Sequence, residues 1–448
     1  MLFLTPHSSS QTFHRTVCLL SCPSSASAMD SLPDAIVHHI LCSLSNARDV
    51  AACSCVSRYW NEAVPYIPSL YFPRNSLDGA AAADATIGRM VASAVCLQDL
   101  IVYCPFSSAS LASWLDLRCG TLRSLELRMD GIASKPASGG DDEAPANELE
   151  CIGVARGLES LKLWGVSLTT SPNWNCFDKL RFLEIIGATL RDGALSDALH
   201  ACPNLTDLAL LSCNGVATLS IELERLENCR LDFLGPGNCS LHLSSPKLQI
   251  LEIQGFSWIR VNQDHHIRRL CIAKSSGRVY KVELGKLPDL EFMSLRGIQW
   301  RWSAISSILY CASEVRHLIM KIEFCGDFDT LQPFPEIDLV DFFNNHPRLC
   351  KFEIHGALFA AFCQKNSLKN LDSKFVIPYL EEVIITVRSP LNAEQKLNTL
   401  ESVLMYSVKL HRMTIRLSQM KNCNEAADDF FKDICKLKYM NYNVVQIE

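Results

Sequence analysis

The 448-residue sequence contains no run of eighteen apolar residues, so no stretch of it is built to cross a bilayer as a helix. It lacks an excess of positive charge. With 42 Lys and Arg against 48 Asp and Glu the formal charge is −6, which argues against a general nucleic-acid binder. The motifs that assemble catalysts are missing as well: there is no Gly-x-Ser-x-Gly, no phosphate-binding glycine loop and no His-Glu-x-x-His. Gly235-Pro236-Gly237 is followed by Asn238-Cys239-Ser240 and reads as a turn, not a dinucleotide loop. Cys53-x-Cys55 has the wrong spacing for zinc and no second ligand pair nearby. His38-His39 and His265-His266 read as solvated or helix-surface residues. No catalytic residue and no metal site is therefore expected.

What the chain does have is apolar content. At 48% hydrophobic and 20% charged it belongs with globular proteins and not with disordered ones. Its 21 cysteines are scattered and often fill apolar positions, as at Cys229 and Cys271, which suits buried free thiols in a reducing compartment. The sequons Asn204-Leu205-Thr206 and Asn238-Cys239-Ser240 are then chance matches. Residues 1–28 are Ser-rich and have no basic stretch ahead of an adequate apolar run, so they do not read as a secretory signal. They are expected to be a disordered or non-native extension, with Met29 as the working start.

Over residues 29–75 a helical module is legible. Pro33 is expected in the first turn of a helix whose apolar face is Ile36, Val37, Ile40, Leu41 and Leu44. Asn46 or Asp49 can cap a second short helix, and a third segment runs from Val56 to Val64, before Pro65 and Pro68. Three helices in about forty residues bury too little surface to stand alone, so the module is expected to complete its core on a partner. Leu32-Pro33, Ile36, Ile40-Leu41, Leu44, Asp49, Val56-Ser57-Arg58 and Trp60 at these intervals resemble an F-box. The resemblance implies docking of a Skp-type adaptor. The adaptor-side residues it points to are Leu32, Pro33, Ile36, Ile40, Leu41, Leu44, Val56 and Trp60, some of which must serve the module's own core.

After a soft linker at 76–86, one pattern, apolar-x-x-apolar-x-apolar, returns through 87–448. It begins at Leu97/Leu100/Val102 and ends at Leu410/Met413/Ile415, at spacings mostly of 21–25 residues. This is a leucine-rich-repeat signature: an α/β solenoid of short parallel strands with helical or irregular returns. The second and third members of each triplet should point into the core. Helical spacing marks returns at Leu111/Trp114/Leu115, Leu195/Ala198/Leu199, Ile305/Ile308/Leu309, Leu339/Val340/Phe342/Phe343 and Leu397/Leu400/Val403/Leu404. Between Leu205 and Ile267 the units are short, so turns or 3₁₀ pieces are expected. Residues 135–147 read as a disordered acidic loop. Phe430/Phe431/Ile434/Leu437 mark a last helix, and Tyr442–Ile447 a closing strand. The 380–448 region resembles the tail of plant F-box/leucine-rich-repeat proteins.

That resemblance implies a non-catalytic substrate-recognition subunit of a Skp–cullin–F-box ubiquitin ligase. It would be tied through the adaptor to a cullin and a RING protein, with its repeats binding a target protein in the nucleus or cytoplasm. A hormone-type small-molecule receptor and an adaptor-bound scaffold without degradation are the alternatives. No cofactor is expected; an inositol phosphate is the one ligand the hormone-sensing branch would bring. The third and seventh residues of each unit should face the concave surface. In the six C-terminal units eight of these twelve are basic or His: Arg269, Arg296, His317, Lys321, Lys351, His355, Arg412 and Arg416. They are expected to form a positive trough for an acidic or phosphorylated target.

Overall fold

The triplets set the architecture. In the computed structural model, which describes residues 32–75, 77, 79–130, 149–235, 237–323, 336–364, 375–417 and 424–448, every triplet member is buried except Leu410, which is partly so. Along a strand, side chains alternate between faces, so the two buried members share the inner face.

The chain opens with α1 (Asp34–Ser43), α2 (Ala47–Ser54) and α3 (Arg58–Ala63). Pro33 is the residue before the first turn of α1 and not within it; its extended ψ of 145° leaves its carbonyl to accept from Ile36 and Val37. Asn46, the nearer of the two expected caps, accepts from the Arg48 amide at 3.0 Å, and Ser57 caps α3. Pro65 sits inside a 3₁₀ turn, Val64–Tyr66, that follows α3 directly.

There follow β1 (Ser69–Phe72), α4 (Ala80–Ser93), β2 (Asp99–Val102), α5 (Ser108–Arg118), β3 (Ser124–Arg128) and β4 (Ser160–Trp164). Next come β5 (Ser167–Leu168), β6 (Phe182–Ile186), β7 (Thr189–Leu190), α6 (Asp192–His200) and β8 (Asp207–Cys213). The middle of the chain is strands only: β9 (Thr218–Glu222), β10 (Asn228–Phe233), β11 (Cys239–Ser244), β12 (Ile250–Gln254), β13 (Phe256–Val261), β14 (Arg269–Lys274), β15 (Lys281–Glu283) and β16 (Phe292–Gly297). Helices return with α7 (Trp302–Cys311), β17 (His317–Ile322), α8 (Leu339–Asn345), β18 (Lys351–His355) and α9 (Gly356–Gln364). The last units are β19 (Glu382–Val387), α10 (Ala393–Tyr406), β20 (Arg412–Leu417), α11 (Asn424–Met440) and β21 (Val445–Ile447).

Among the described residues fifteen strands, one per unit, form a single sheet in the order β1-β2-β3-β4-β6-β8-β10-β12-β14-β16-β17-β18-β19-β20-β21. All its pairings are parallel, with one register shift, between Leu231 and Phe233 where β10 meets β8, and the second triplet members stack as one apolar ladder from Leu70 to Val445. This is the expected leucine-rich-repeat solenoid, preceded by the small three-helix module.

Four features depart from the sequence reading. Ile67/Leu70/Phe72 is a further triplet, all three buried, so the solenoid begins inside the segment read as the helical module. The Tyr71 amide donates to the Ser45 carbonyl at 2.7 Å, and Val37, Leu41, Val50 and Trp60 share one apolar cluster with the repeats. The module's inner side is therefore completed by its own chain. Second, the segment read as a linker is largely the start of α4, where Ala83, Ile87 and Val91 recur at helical spacing and are buried. Third, the short units return through strands and not 3₁₀ turns: β9, β11, β13 and β15 make a second parallel sheet. Leu219/Ile221, Leu241/Leu243 and Ile259/Val261 face the core from it, an alternation that residues too few for a helix can still satisfy. Fourth, α9 was not anticipated. Residues 1–28 and the acidic loop 135–147 lie outside the described residues.

The turn between β12 and β13 rests on Gly255, whose φ is +99° and whose Cβ, were there one, would lie 2.2 Å from the Phe233 carbonyl oxygen. Only glycine fits there. Buried Lys274 closes this corner by donating to the carbonyls of Gly255 and Gly237.

Candidate functional site

Two surfaces carry the residues singled out from sequence. On the helical module, the eight adaptor candidates divide by burial. Leu41 and Trp60 are 0% and 3% exposed and hold the module to the solenoid, so they have no surface to offer. Leu32, Ile40 and Leu44 are partly buried against the same core. Pro33 is exposed, and Ile36 and Val56 each keep 46% of their surface in water. The apolar face read for α1 is thus two faces: Val37 and Leu41 inward, Ile36 outward. The Tyr59 hydroxyl donates to the Asp34 carboxylate, which together with burial pushes the phenol up to about 12 and ties α3 to the start of α1. Side chains on the outer face are thereby held at fixed relative positions.

The second surface is the open face of the long sheet, opposite the core. Strand register aligns the third-position column Arg269–Phe292–His317–Lys351–Glu382–Arg412, and the seventh-position residues Ala273, Arg296 and Lys321 run beside it. The residues expected in a trough are therefore brought together, but the charge is not left free. Glu353, on the fifth-position column, takes Lys321 at 2.8 Å and His355 and Arg416 at 3.2 Å each. Glu382 takes Arg412 at 2.6 Å and Lys351 at 3.2 Å. Arg416 also reaches Glu448 at 2.7 Å, and Arg269 reaches Glu252 at 3.0 Å.

Four carboxylates thus interleave five Lys and Arg, and the trough is a charge lattice more than a positive field. Burial alone would push the Glu353 carboxyl up. Hydrogen bonds from Lys321 and His355, with their charges, outweigh it and hold the group below the ordinary range. Glu382 is held low by the Arg412 hydrogen bond first, against burial, and then by Lys351. His317 and His355 are pushed down by burial, so both resist protonation. An inositol phosphate needs several uncommitted cations at one place, and these donors are committed to Glu353, Glu382 and Glu448; they do not fit that group.

The lattice is interrupted at β16. Among the described residues, Arg296 has only Ser294 Oγ, at 3.1 Å, as a side-chain partner. It borders a hollow of about 420 Å³ lined by residues of β10, β12, β14 and β16, among them Asp232, Ala273 and Phe292. Sequence reasoning placed Cys271 in the core; it is a half-buried wall of this hollow instead. His265 also differs from expectation, being buried with its Nε2 against the Leu284 carbonyl at 2.7 Å.

Among the described residues no three His, Cys, Asp or Glu are placed to hold a metal, and no helix is long and apolar enough to cross a membrane. The described cysteines are all free. Burial pushes the thiols of Cys202 and Cys229 up to about 12 and those of Cys213 and Cys363 up to about 11, which keeps them protonated and unreactive.

Comparison with known proteins bears on the helical module and on the family of the whole chain. An F-box-like family model matches residues 29–72. An Arabidopsis thaliana protein described as F-box protein At1g10780 is 53% identical over 423 residues, spanning 94% of this chain and 100% of its own length. The chain belongs to the F-box protein family. Members of that family serve in general as non-catalytic substrate adaptors of Skp–cullin–F-box ligases, through the Skp-type partner that the F-box binds.

Proposed function

We propose that this chain is the substrate receptor of a Skp–cullin–F-box ubiquitin ligase, with the F-box on the adaptor and the open face of the solenoid on a target protein. The observation that carries the adaptor side is the exposure of Ile36 and Val56 on a module whose inner face is already filled. Apolar side chains left in water on a rigid small module are what an interface core is made from. Pro33, with the exposed parts of Leu32, Ile40 and Leu44, would extend that patch. The protein then works by proximity, holding a target near the ubiquitin carrier that cullin and RING protein bring and raising its effective concentration there. The compartment this requires is the nucleus or cytoplasm, where the adaptor is.

Capture of a Skp-type adaptor by an Ile36→Asp/Val56→Asp variant tests the reading. We expect a loss of at least about tenfold in capture, since truncated apolar anchors dominate such interfaces, with an unchanged melting temperature. Capture at the wild-type level by a folded variant would overturn it. Leu41→Ala, by contrast, should lower the melting temperature, because it opens a cavity in the shared core.

A further inference from the structure

The hollow on the open face has a simple origin in the sequence. Along one column, Asp232, Gln254, Ala273 and Arg296 are neighbours on successive strands. Gln254 turns aside to Ser275 Oγ at 3.3 Å, and Ala273 has only a methyl group to fill its place. The adjoining column supplies Cys271 and Ser294, also short. Long side chains stand all around: Arg230 and Arg269, both paired to Glu252, and Phe292, whose ring lies 4.2 Å from the Arg269 guanidinium carbon. The result is a gap with unlike ends.

At one end, Asp232 Oδ1 is buried and has no hydrogen-bond partner, while Oδ2 has only a long contact to Ser212 Oγ at 3.5 Å. A buried acceptor left unpaired has lost its water without a replacement, so a donor arriving there is rewarded. At the other end, Arg296 spends one nitrogen on Ser294 and leaves the rest of its fork open. Between the two ends Phe292 and Cys271 line the hollow. Three strand spacings separate the two ends, about 14 Å between Cα atoms. An extended peptide covers about that distance in four residues.

Resting on the target-binding reading above, we propose that this hollow is the target's primary docking subsite. It takes an extended peptide segment with a cationic side chain for Asp232, an apolar residue over Ala273, and an acidic side chain for Arg296. The ligand is therefore amphoteric, in contrast to the polyanion that the run of basic residues suggested. A compact small molecule is disfavoured by the open, charged walls, since such ligands favour enclosed and mostly apolar pockets.

The test uses the full chain with its adaptor and fluorescent pentapeptides read by polarisation. The probes are acetyl-Lys-Ala-Leu-Ala-Asp-amide, its reversed sequence, and versions with Lys or Asp replaced by Ala. The better of the two doubly charged orders should bind at least about tenfold tighter than either singly charged peptide, as complementary charges set specificity. Asp232→Asn should erase the preference for Lys alone, Arg296→Gln the preference for Asp alone, and Ala273→Trp should abolish binding by filling the gap. All three changes lie on the open face and leave the apolar ladder intact, so adaptor capture should persist. Equal binding of all peptides by the wild-type chain overturns the proposal, and so do preferences unchanged in the three variants. Loss of adaptor capture by Ile36→Asp/Val56→Asp is a separate readout, so this subsite and the wider reading can fail independently.

Discussion

The open face of the solenoid is two surfaces made by one rule. From β17 to β20 the outward columns are filled with long charged side chains, and neighbours about 4.8 Å apart across the sheet neutralise one another. From β10 to β16 the same columns contain Ala273, Cys271 and Ser294, and across that gap Asp232 and Arg296 stand too far apart to meet. Backbone, register and buried ladder are alike in both regions. Side-chain length at a few positions decides whether a strip of charge is spent on the fold or left for a ligand.

The largest effects should ignore this difference. Leu295→Ala, beneath the hollow, and Ile354→Ala, beneath the lattice, each delete a buried rung and should cost about 2–5 kcal/mol in urea unfolding. A marked disparity between the two would mean that the regions differ below the sheet as well as above it.

A middle-sized effect should divide them. Glu353 is the meeting point of Lys321, His355 and Arg416, so Glu353→Gln leaves the Lys321 and Arg416 charges together without their carboxylate and should cost about 1–2 kcal/mol, discounted for partial exposure. Asp232→Asn removes an acceptor with no close partner, and its melting temperature should match or exceed the wild-type value. The reverse order of these two would undo the comparison.

The lattice should also show itself in pH. Glu353 and Glu382 ionise below the ordinary value of 4.5 in the folded chain, so the folded state binds fewer protons than the unfolded one. Their contribution is complete above that value and is lost as pH falls through the depressed one. His355, pushed down from 6.5, acts in the same direction from a higher pH: it contributes above 6.5 and is lost as pH falls. The Glu353→Gln/Glu382→Gln variant should therefore show a flatter decline of stability below about pH 4.5 than the wild type. Parallel curves would assign the acid sensitivity elsewhere.

The smallest effect belongs to the rim of the hollow. Arg269 and Glu252 are both well hydrated, and Arg269→Gln should change stability by less than about 0.5 kcal/mol. A larger loss would point to the Phe292 ring beneath the guanidinium, and a double-mutant cycle with Phe292→Leu would measure that share.

Much of the fold was legible in the residues because its rules are local and repeated. A triplet of apolar residues at fixed offsets fixes a strand, its inward face and its place in a stack, and Ile67/Leu70/Phe72 was overlooked only because it falls within the helical module. The second sheet was harder to read: Leu219/Ile221 and Leu241/Leu243 alternate over too few residues to separate a strand from a turn without seeing the partner strand. On the module, spacing identified the apolar residues of α1 but could not say that Leu41 and Trp60 face the solenoid while Ile36 faces water. That choice depends on where β1 lies.

The basic columns are the plainest division between the two levels of information. Sequence by itself determined that Arg269, Arg296, Lys321, Lys351, Arg412 and Arg416 would share one face, since strand periodicity and a regular repeat leave no other arrangement. It also held the carboxylates that oppose them, Glu353 and Glu382, in plain view. Only the tertiary structure decided that Glu353 would gather cations from three strands, one of them 63 residues away, and that Arg296 would be passed over. The physical reason is that burial of a face follows from which residues alternate, whereas neutralisation of a charge follows from distances of about 3–4 Å between side chains of different strands.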